Sequence, residues 1–224
     1  VDPGDAEVVL DFCTQHSATL TGILITHHHK DHTGGVAVLK HHTNCPVYGP
    51  SHLKELVTHP VIDGDKITVF SNDFQVIATP GHTLDHLCYF SEGDQPVLFS
   101  GDTLFKGGCG RIMEGTPEQM LNAMQKIANL PDHTYIYATH EYTLANYRFA
   151  LSLEPENKPL IQSNLTSHTQ RTNNEPTLPT TLHLEKKTNP FLRTHIESLK
   201  NHAAQQLNEI PANDYVAAFS QVRR

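Results

Sequence analysis

Apolar residues in the first 140 positions come in short runs separated by turn residues, and no run is long enough for an extended amphipathic helix to dominate. Thr21–Thr26 (TGILIT) is short and β-branched, which predicts a buried strand running into a stretch of histidines. Pro46–Tyr48 is a second strand candidate. Ile67–Phe70 and Phe74–Thr79 flank Ser71-Asn72-Asp73, and His86–Phe90 and Pro96–Ser100 flank Glu92-Gly93-Asp94. Both arrangements read as hairpins, because Gly, Asn and Asp accept turn backbone geometry. Tyr135–Ala138 is the last strand of this region. Helices are predicted over Ala6–Cys13 after a Pro-Gly turn, over Val36–His42 after Gly34-Gly35, and from Thr116 to about Asn129. In the last of these Thr116 is the cap and Pro117 the first helical residue. Strands interleaved with helices in this order predict a layered α/β domain.

The pattern changes after Glu154. Residues 166–182 (TSHTQRTNNEPTLPTTL) hold two prolines, many Thr and Asn and few apolar residues, which predicts a linker or draped loop. Phe191–Leu207 and Ala212–Val222 regain helical spacing. The chain is therefore expected to divide into residues 1–154, holding the chemistry, and a helical appendage at residues 155–224.

Composition narrows the function classes. The 224 residues carry 16 Lys and Arg against 24 Asp and Glu, a net charge of −8. A general nucleic-acid or anionic-membrane surface needs a basic face, so neither partner is expected. No apolar run approaches a membrane span, and no signal segment opens the chain. Four cysteines at 13, 45, 88 and 109 form no CxxC pair, which predicts free thiols and a cytoplasmic setting. Histidine is the anomaly: 17 residues, more than Lys and Arg together.

Their spacing explains the surplus. In the extended run Thr26-His27-His28-His29-Lys30-Asp31-His32-Thr33-Gly34-Gly35, alternate residues share a face, so His27, His29 and Asp31 converge and His28 points away. The glycines let the backbone turn and bring His32 to the same side. Imidazoles with a carboxylate suit zinc. An exposed histidine-rich loop is the alternative, but a β-branched strand before the run and Gly-Gly behind it argue against that. Three more strand ends supply His82 (in TPGHT), Asp102 (in SGDTL) and His140 (in THEY). Each alone would read as a polar loop. Together the five histidines and two aspartates suffice for two metals sharing one carboxylate, which in hydrolases sit roughly 3.5–4 Å apart. Asp2 reads either as a plain turn residue or as a hydrogen-bond partner of a ligand imidazole. Cys109 has no base placed beside it by sequence and reads as a structural thiol.

The order HxHxDH, PGHT, GDTLF and a final His resembles the metallo-β-lactamase fold superfamily. Gly107-Gly108-Cys109-Gly110-Arg111, His140-Glu141-Tyr142-Thr143, Glu175-Pro176-Thr177-Leu178-Pro179-Thr180-Thr181-Leu182 and Asn189-Pro190-Phe191-Leu192-Arg193 narrow the resemblance to hydroxyacylglutathione hydrolases, the glyoxalase II family. The resemblance spans residues 1 to about 200. It implies an αββα sandwich with the metals at one sheet edge. It assigns His27, His29 and His82 to one metal, Asp31, His32 and His140 to the other, and Asp102 to the bridge. The metals would be two divalent ions, zinc or iron. The implied reaction is hydrolysis of S-lactoylglutathione to glutathione and D-lactate, by a monomer acting in methylglyoxal detoxification. Asp31 would orient the attacking water; Arg111, Tyr142 and Arg193 would contact glutathione. Met113 stands where the family often has an aromatic residue, and after Arg193 only His195 offers a further basic group. Family members carry strand-forming sequence ahead of the Val1-Asp2-Pro3-Gly4 turn, so N-terminal strands are expected to be missing and a sheet edge exposed. Rival readings are a single-iron persulfide dioxygenase, which would need only His27, His82 and Asp102, a nucleic-acid-processing metallohydrolase, and a non-enzymatic remnant.

Overall fold

The computed structural model describes residues 1–211 and 213–223. Helix α1 (Ala6–Gln15) starts where the Asp5 carboxylate accepts the Glu7 N–H at 2.9 Å. Strand β1 (Ile23–Leu24), the short turn α2 (Lys30–Thr33), helix α3 (Val36–Thr43) and strands β2 (Val47–Gly49) and β3 (His59–Pro60) follow. Strands β4 (Lys66–Val69), β5 (Asn72–Ala78), β6 (Leu87–Ser91) and β7 (Val97–Gly101) come next, then the small pair β8 (Leu104–Phe105) and β9 (Gly108–Cys109). Helix α4 (Pro117–Ala128) and strand β10 (Tyr135–Ala138) precede helices α5 (Thr143–Leu153) and α6 (Lys158–Thr172). The chain ends in β11 (Thr180–Thr181), α7 (Leu182–Thr188), a 3-10 turn (Pro190–Leu192), α8 (Glu197–Leu207) and α9 (Tyr215–Arg223).

Four layers result. Strands β1, β2 and β3 form a parallel sheet in that order. The second sheet has six strands in the order β11-β10-β7-β6-β5-β4. Leu24 and Val61 pack against Ile67, Phe74, Val76, Leu87 and Tyr89, which joins the sheets face to face. Ala6, Val36 and Leu39 of α1 and α3 cover the outer face of the small sheet against Ile23 and Val47. Met120, Met124 and Ile127 of α4 cover the outer face of the large one against Cys88, Leu98 and Ile136. The αββα arrangement expected from the sequence is the observed fold. It also explains why all five residues of β6 are buried, since both faces of that strand are covered.

The topology sends the chemistry to one edge. Strand β10 runs parallel to β7, and two antiparallel steps through β6 make β5 parallel to β7 as well. The carboxyl ends of β5, β7 and β10 therefore open on the same side, carrying His82, Asp102 and His140. The Leu87 N–H donates to the Thr26 carbonyl at 2.8 Å, which ties the end of β1 and its histidines to that edge.

Three expectations need correction. The predicted strand at residues 21–26 pairs regularly over only two residues, and the pairing ends where the Thr26 N–H is taken by the Asp2 carboxylate at 2.8 Å. The predicted linker is helical as far as Thr172. Thr166, Thr169 and Thr172 donate their hydroxyls to the carbonyls four residues back, so a threonine-rich segment keeps its polar groups satisfied within α6. The predicted helix over Phe191–Leu207 is interrupted: Asn189 caps a 3-10 turn through the Phe191 N–H at 3.0 Å, and α8 begins only at Glu197. Ala212, the expected start of the last helix, lies outside the described residues.

Glu185 of α7 pins the C-terminal region to the metal side of the molecule. It is fully buried, and its carboxylate accepts from the Gly107 N–H at 2.8 Å, the Thr180 hydroxyl at 2.7 Å and the Asn189 amide at 3.0 Å. Burial raises its pKa above the usual carboxylate range despite these donors. Glu185→Ala takes the carboxylate acceptor from the Gly107 N–H and the Thr180 hydroxyl inside a buried void. A loss of roughly 3 kcal/mol or more in unfolding free energy is expected, measured by urea denaturation. A loss within about 0.5 kcal/mol of wild type would show that the carboxylate is not the anchor.

Candidate metal centre

His27, His29, Asp31, His32, His82, Asp102 and His140 meet in one place. His27 Nε2 is 3.0 Å from His29 Nδ1, which is 3.1 Å from His82 Nε2. His140 Nε2 is 3.5 Å from Asp31 Oδ2, and His32 Nε2 is 3.8 Å from the same oxygen. One donor atom from each of His27, His29 and His82 lies within 4.8 Å of the others, and the same is true of Asp31, His32 and His140. Asp102 sits between the two groups. Its Oδ1 is 3.4 Å from His32 Nε2, and its Oδ2 is 3.5 Å from His82 Nε2 and 3.4 Å from His140 Nε2.

The other ring nitrogens show why these donors face inward. The Thr26 hydroxyl donates to Asp2 Oδ2 at 2.8 Å, so its oxygen is left to accept from His27 Nδ1 at 3.0 Å. His32 Nδ1 donates to Asp2 Oδ2 at 3.0 Å, and His82 Nδ1 donates to the Arg111 carbonyl at 2.7 Å. With each proton held on Nδ1, the Nε2 atoms of His27, His32 and His82 present bare lone pairs to the centre. Of the two roles open to Asp2 in the sequence, the structure displays the hydrogen bond to an imidazole. Burial, and then the neighbouring imidazoles, push the pKa of His27 far down. Burial and His82 lower that of His29, so both rings are neutral at physiological pH, as ligation requires. Burial opposes the Asp102 carboxylate, but hydrogen bonding to His140 and the nearby His32 and His82 hold its pKa below the usual range.

The donor set fits a cation. His32 Nε2 and Asp102 Oδ1 are buried, 3.4 Å apart, and neither makes a hydrogen bond. Buried polar atoms are normally satisfied, and two orphans facing each other inside a ring of imidazole nitrogens mark where a positive ion belongs.

A cavity of about 570 Å³ opens over this cluster. Phe105, Arg111, Met113, Tyr142, Asn146 and Arg223 form its walls. Tyr142 stacks on the His140 ring, with centroids 4.9 Å apart and planes at 19°. A larger depression, about 800 Å³, lies around Arg193 and His202 and is lined by none of the seven clustered residues.

Comparison with known proteins follows the geometry. Residues 15–140 match the family model of the metallo-beta-lactamase superfamily, and residues 141–224 match that of the hydroxyacylglutathione hydrolase C-terminus. A hydroxyacylglutathione hydrolase from Marinomonas sp. (strain MWYL1) is 75% identical over the whole chain, which spans 87% of that relative. The chain belongs to the hydroxyacylglutathione hydrolase family. Among solved structures, TTHA1623 in a di-iron-bound form is 27% identical with a TM-score of 0.59, covering 85% of this chain and 87% of that one. The BLEG-1 B3 metallo-beta-lactamase has a TM-score of 0.63 at 24% identity, covering 85% of this chain and 86% of that one, and shows the shared fold.

Two residues of this hydroxyacylglutathione hydrolase family member escape a reading of the sequence, and one is misplaced by it. His86 is fully buried and accepts the Asp102 N–H on Nε2 at 3.0 Å, while its Nδ1 faces the Thr79 and Thr103 hydroxyls at 2.8 and 3.1 Å. Burial lowers its pKa to about 4. It fixes the backbone that carries Asp102. The adjoining Gly101 has φ +48°, and a Cβ there would come within 2.7 Å of His86 Nε2, so glycine is required. The signal was a histidine at the head of an all-apolar strand. Arg223 reaches the cavity from α9, donating Nη2 to the Gly110 carbonyl at 3.2 Å, with its guanidinium 5.8 Å over Phe191. Arg193, expected to contact glutathione, instead forms a two-pronged ion pair with Glu154 at 2.9 and 2.7 Å. A guanidinium already matched to a carboxylate in this way is not free for a ligand. Cys109 lines the cavity, but burial lifts its thiol to about 12, so it stays protonated and inert, as a structural thiol should.

Asp2→Asn tests the outer support. The asparagine amide can still accept the Thr26 N–H, but its NH₂ would oppose the His32 Nδ1 proton and drive that proton to Nε2. Metal affinity is expected to fall about 10- to 100-fold, read by competition with a chromophoric chelator, with the circular dichroism spectrum unchanged. Wild-type affinity would show that Asp2 does not set the tautomer.

Proposed function

We propose that the chain hydrolyses S-(2-hydroxyacyl)glutathione thioesters, S-lactoylglutathione among them, to glutathione and a 2-hydroxy acid such as D-lactate, in methylglyoxal detoxification. The observation that carries this reading is the pair of three-residue ligand groups joined by Asp102 beneath a cavity walled by two arginines. His27, His29 and His82 would hold one divalent cation, Asp31, His32 and His140 a second, and Asp102 would contact both. Cations held there lower the pKa of water towards 7 and draw charge from a carbonyl oxygen.

The chain's own groups do the rest. Asp31 is the exposed carboxylate of the cluster, its side chain 63% accessible, and orients the attacking water at the cavity floor. The leaving thiolate has a conjugate acid near pKa 8.5, so no general acid is needed. Arg111 and Arg223 bind the two carboxylates of the glutathione moiety, and the half-exposed Tyr142 phenol hydrogen-bonds its peptide. On this reading residues 1–154 hold the metals and residues 155–224 contribute Arg223. The nitrogen-rich donor set favours zinc, and the di-iron-bound form of the similar structure TTHA1623 makes iron the alternative. The four free thiols support a reducing, cytoplasmic setting, and the net charge of −8 argues against nucleic-acid partners. Among the described residues no helix is long and apolar enough to cross a membrane. A single-iron reading would leave Asp31, His32 and His140 clustered with nothing to hold.

Arg111→Ala and Arg223→Ala should each cost about 10- to 150-fold in kcat/KM on S-lactoylglutathione, mostly through KM, the loss of one charge-assisted contact. Metal content should stay at wild-type level. S-Lactoyl-N-acetylcysteamine, which lacks the carboxylates, should barely respond. Equal losses on both substrates would make the arginines structural and overturn the substrate assignment. Asp102→Ala should lose at least one metal and nearly all hydrolysis; two retained metals with full turnover would refute its bridging role.

A further inference from the structure

On the far side of the ligand loop, His28 turns away from the seven clustered residues and enters a second group. Its Nδ1 is 3.0 Å from Asp85 Oδ1, and its Nε2 is 3.3 Å from Glu114 Oε1. His52 Nε2 lies 3.4 Å from Asp85 Oδ2. The two imidazoles are 5.9 Å apart at 73°, and one donor atom from each of His28, His52 and Asp85 lies within 4.8 Å of the others. Asp85 is mostly buried, and its Oδ2 makes no hydrogen bond. None of these residues has a part in the hydrolysis as derived above.

We propose that His28, His52 and Asp85 form an accessory site for a borderline divalent transition metal, zinc in the first instance. Bond lengths of 2.0–2.2 Å in tetrahedral geometry place neighbouring ligand atoms about 3.3–3.6 Å apart. The Asp85 contacts of 3.0 and 3.4 Å bracket the lower end of that range, so small side-chain adjustments close the site. Glu114 supplies the outer support. Its Oε2 is fixed by the Leu84 N–H at 2.9 Å, and its Oε1 accepts from His28 Nε2, which leaves His28 Nδ1 bare toward Asp85. The orphaned Asp85 oxygen gains a partner. His52 is a little over half exposed, so the fourth position opens to solvent and the site exchanges metal readily.

The ligands come from separate segments. His28 lies between His27 and His29, Asp85 three residues after His82, and His52 in the turn after β2. A cation there would tie these segments together behind the ligand loop without entering the cavity.

The test compares the full metal-loaded chain with His52→Ala, an exposed position outside the catalytic machinery. Both are equilibrated with micromolar free Zn²⁺, and bound zinc is counted by mass spectrometry of the digested protein. Wild type should hold one equivalent more than His52→Ala, whatever the loading of the main centre. His52→Gln and Asp85→Asn should each weaken that extra equivalent at least tenfold. Added Zn²⁺ should raise the Tm of wild type further than that of His52→Ala. Equal zinc content in wild type and His52→Ala would overturn the site and leave an imidazole–carboxylate ion pair. So would an extra equivalent that survives in both His52→Ala and Asp85→Asn, since it would then sit elsewhere.

Discussion

Five imidazoles and two carboxylates share one pocket because the ring protons of His27, His32 and His82 point away from its centre. That constraint organises the catalytic edge of this protein. Asp2, Thr26 and the Arg111 carbonyl are the acceptors that draw the protons outward, and they come from three distant parts of the chain. Asp2 does the most. One carboxylate receives the Thr26 N–H, the Thr26 hydroxyl and His32, so the end of β1, the ligand loop and the residues before α1 are fixed by one group. With the protons placed, burial keeps His27 and His29 neutral rather than forcing them to pair with acids. The bare lone pairs that result are costly in isolation and suited to a cation.

The fold supplies the rigidity this requires. Loops carrying His82, Asp102 and His140 leave the same edge of one sheet because β5, β7 and β10 run in the same direction. Each strand is short, but β6 and β7 are covered by α4 on one side and by the small sheet on the other. A shift of one loop would have to move a packed strand. His86 extends that rigidity to Asp102 by holding its backbone from beneath, and Gly101 leaves the space for it to do so.

Much of this was legible in the sequence. Strand-then-turn spacing pointed to His82, Asp102 and His140, and alternation pointed to His27 and His29, but Asp31 and His32 face the site from the helical turn α2 and not from the extended run expected there. Two-residue and helical periodicities located most elements of the first 140 residues within a few positions. What was not legible depends on contacts between distant segments. His86 looked like the first residue of an apolar strand, because nothing local shows that a backbone N–H sixteen residues away needs an acceptor. The second half of helix α6 was read as a loop, because composition cannot show threonines satisfying their hydroxyls on their own helix. Arg193 was misplaced because its partner, Glu154, is thirty-nine residues away, and an arginine's sequence position does not say which carboxylate it meets.

That misplacement explains how the C-terminal region holds a cation at the cavity wall. Arg193 is used up in joining the middle of the appendage to Glu154, the last residue of the preceding region at the end of α5. Glu185 and Asn189 then attach the same segment to the Gly107-Gly108 turn beside the cavity, with the Asn189 amide donating to the Gly108 carbonyl at 2.9 Å. Phe191 follows directly, packs on Phe219 of α9 and lies under the Arg223 guanidinium. The route from Glu154 to Arg223 is thus a chain of buried contacts ending in a cation at the cavity wall. An arginine on a terminal helix would otherwise sample many positions and lose affinity to the entropy of ordering. Anchoring α9 through Phe191 limits that freedom, so these pairs keep Arg223 at the cavity wall although Glu154, Glu185 and Arg193 do not line the cavity.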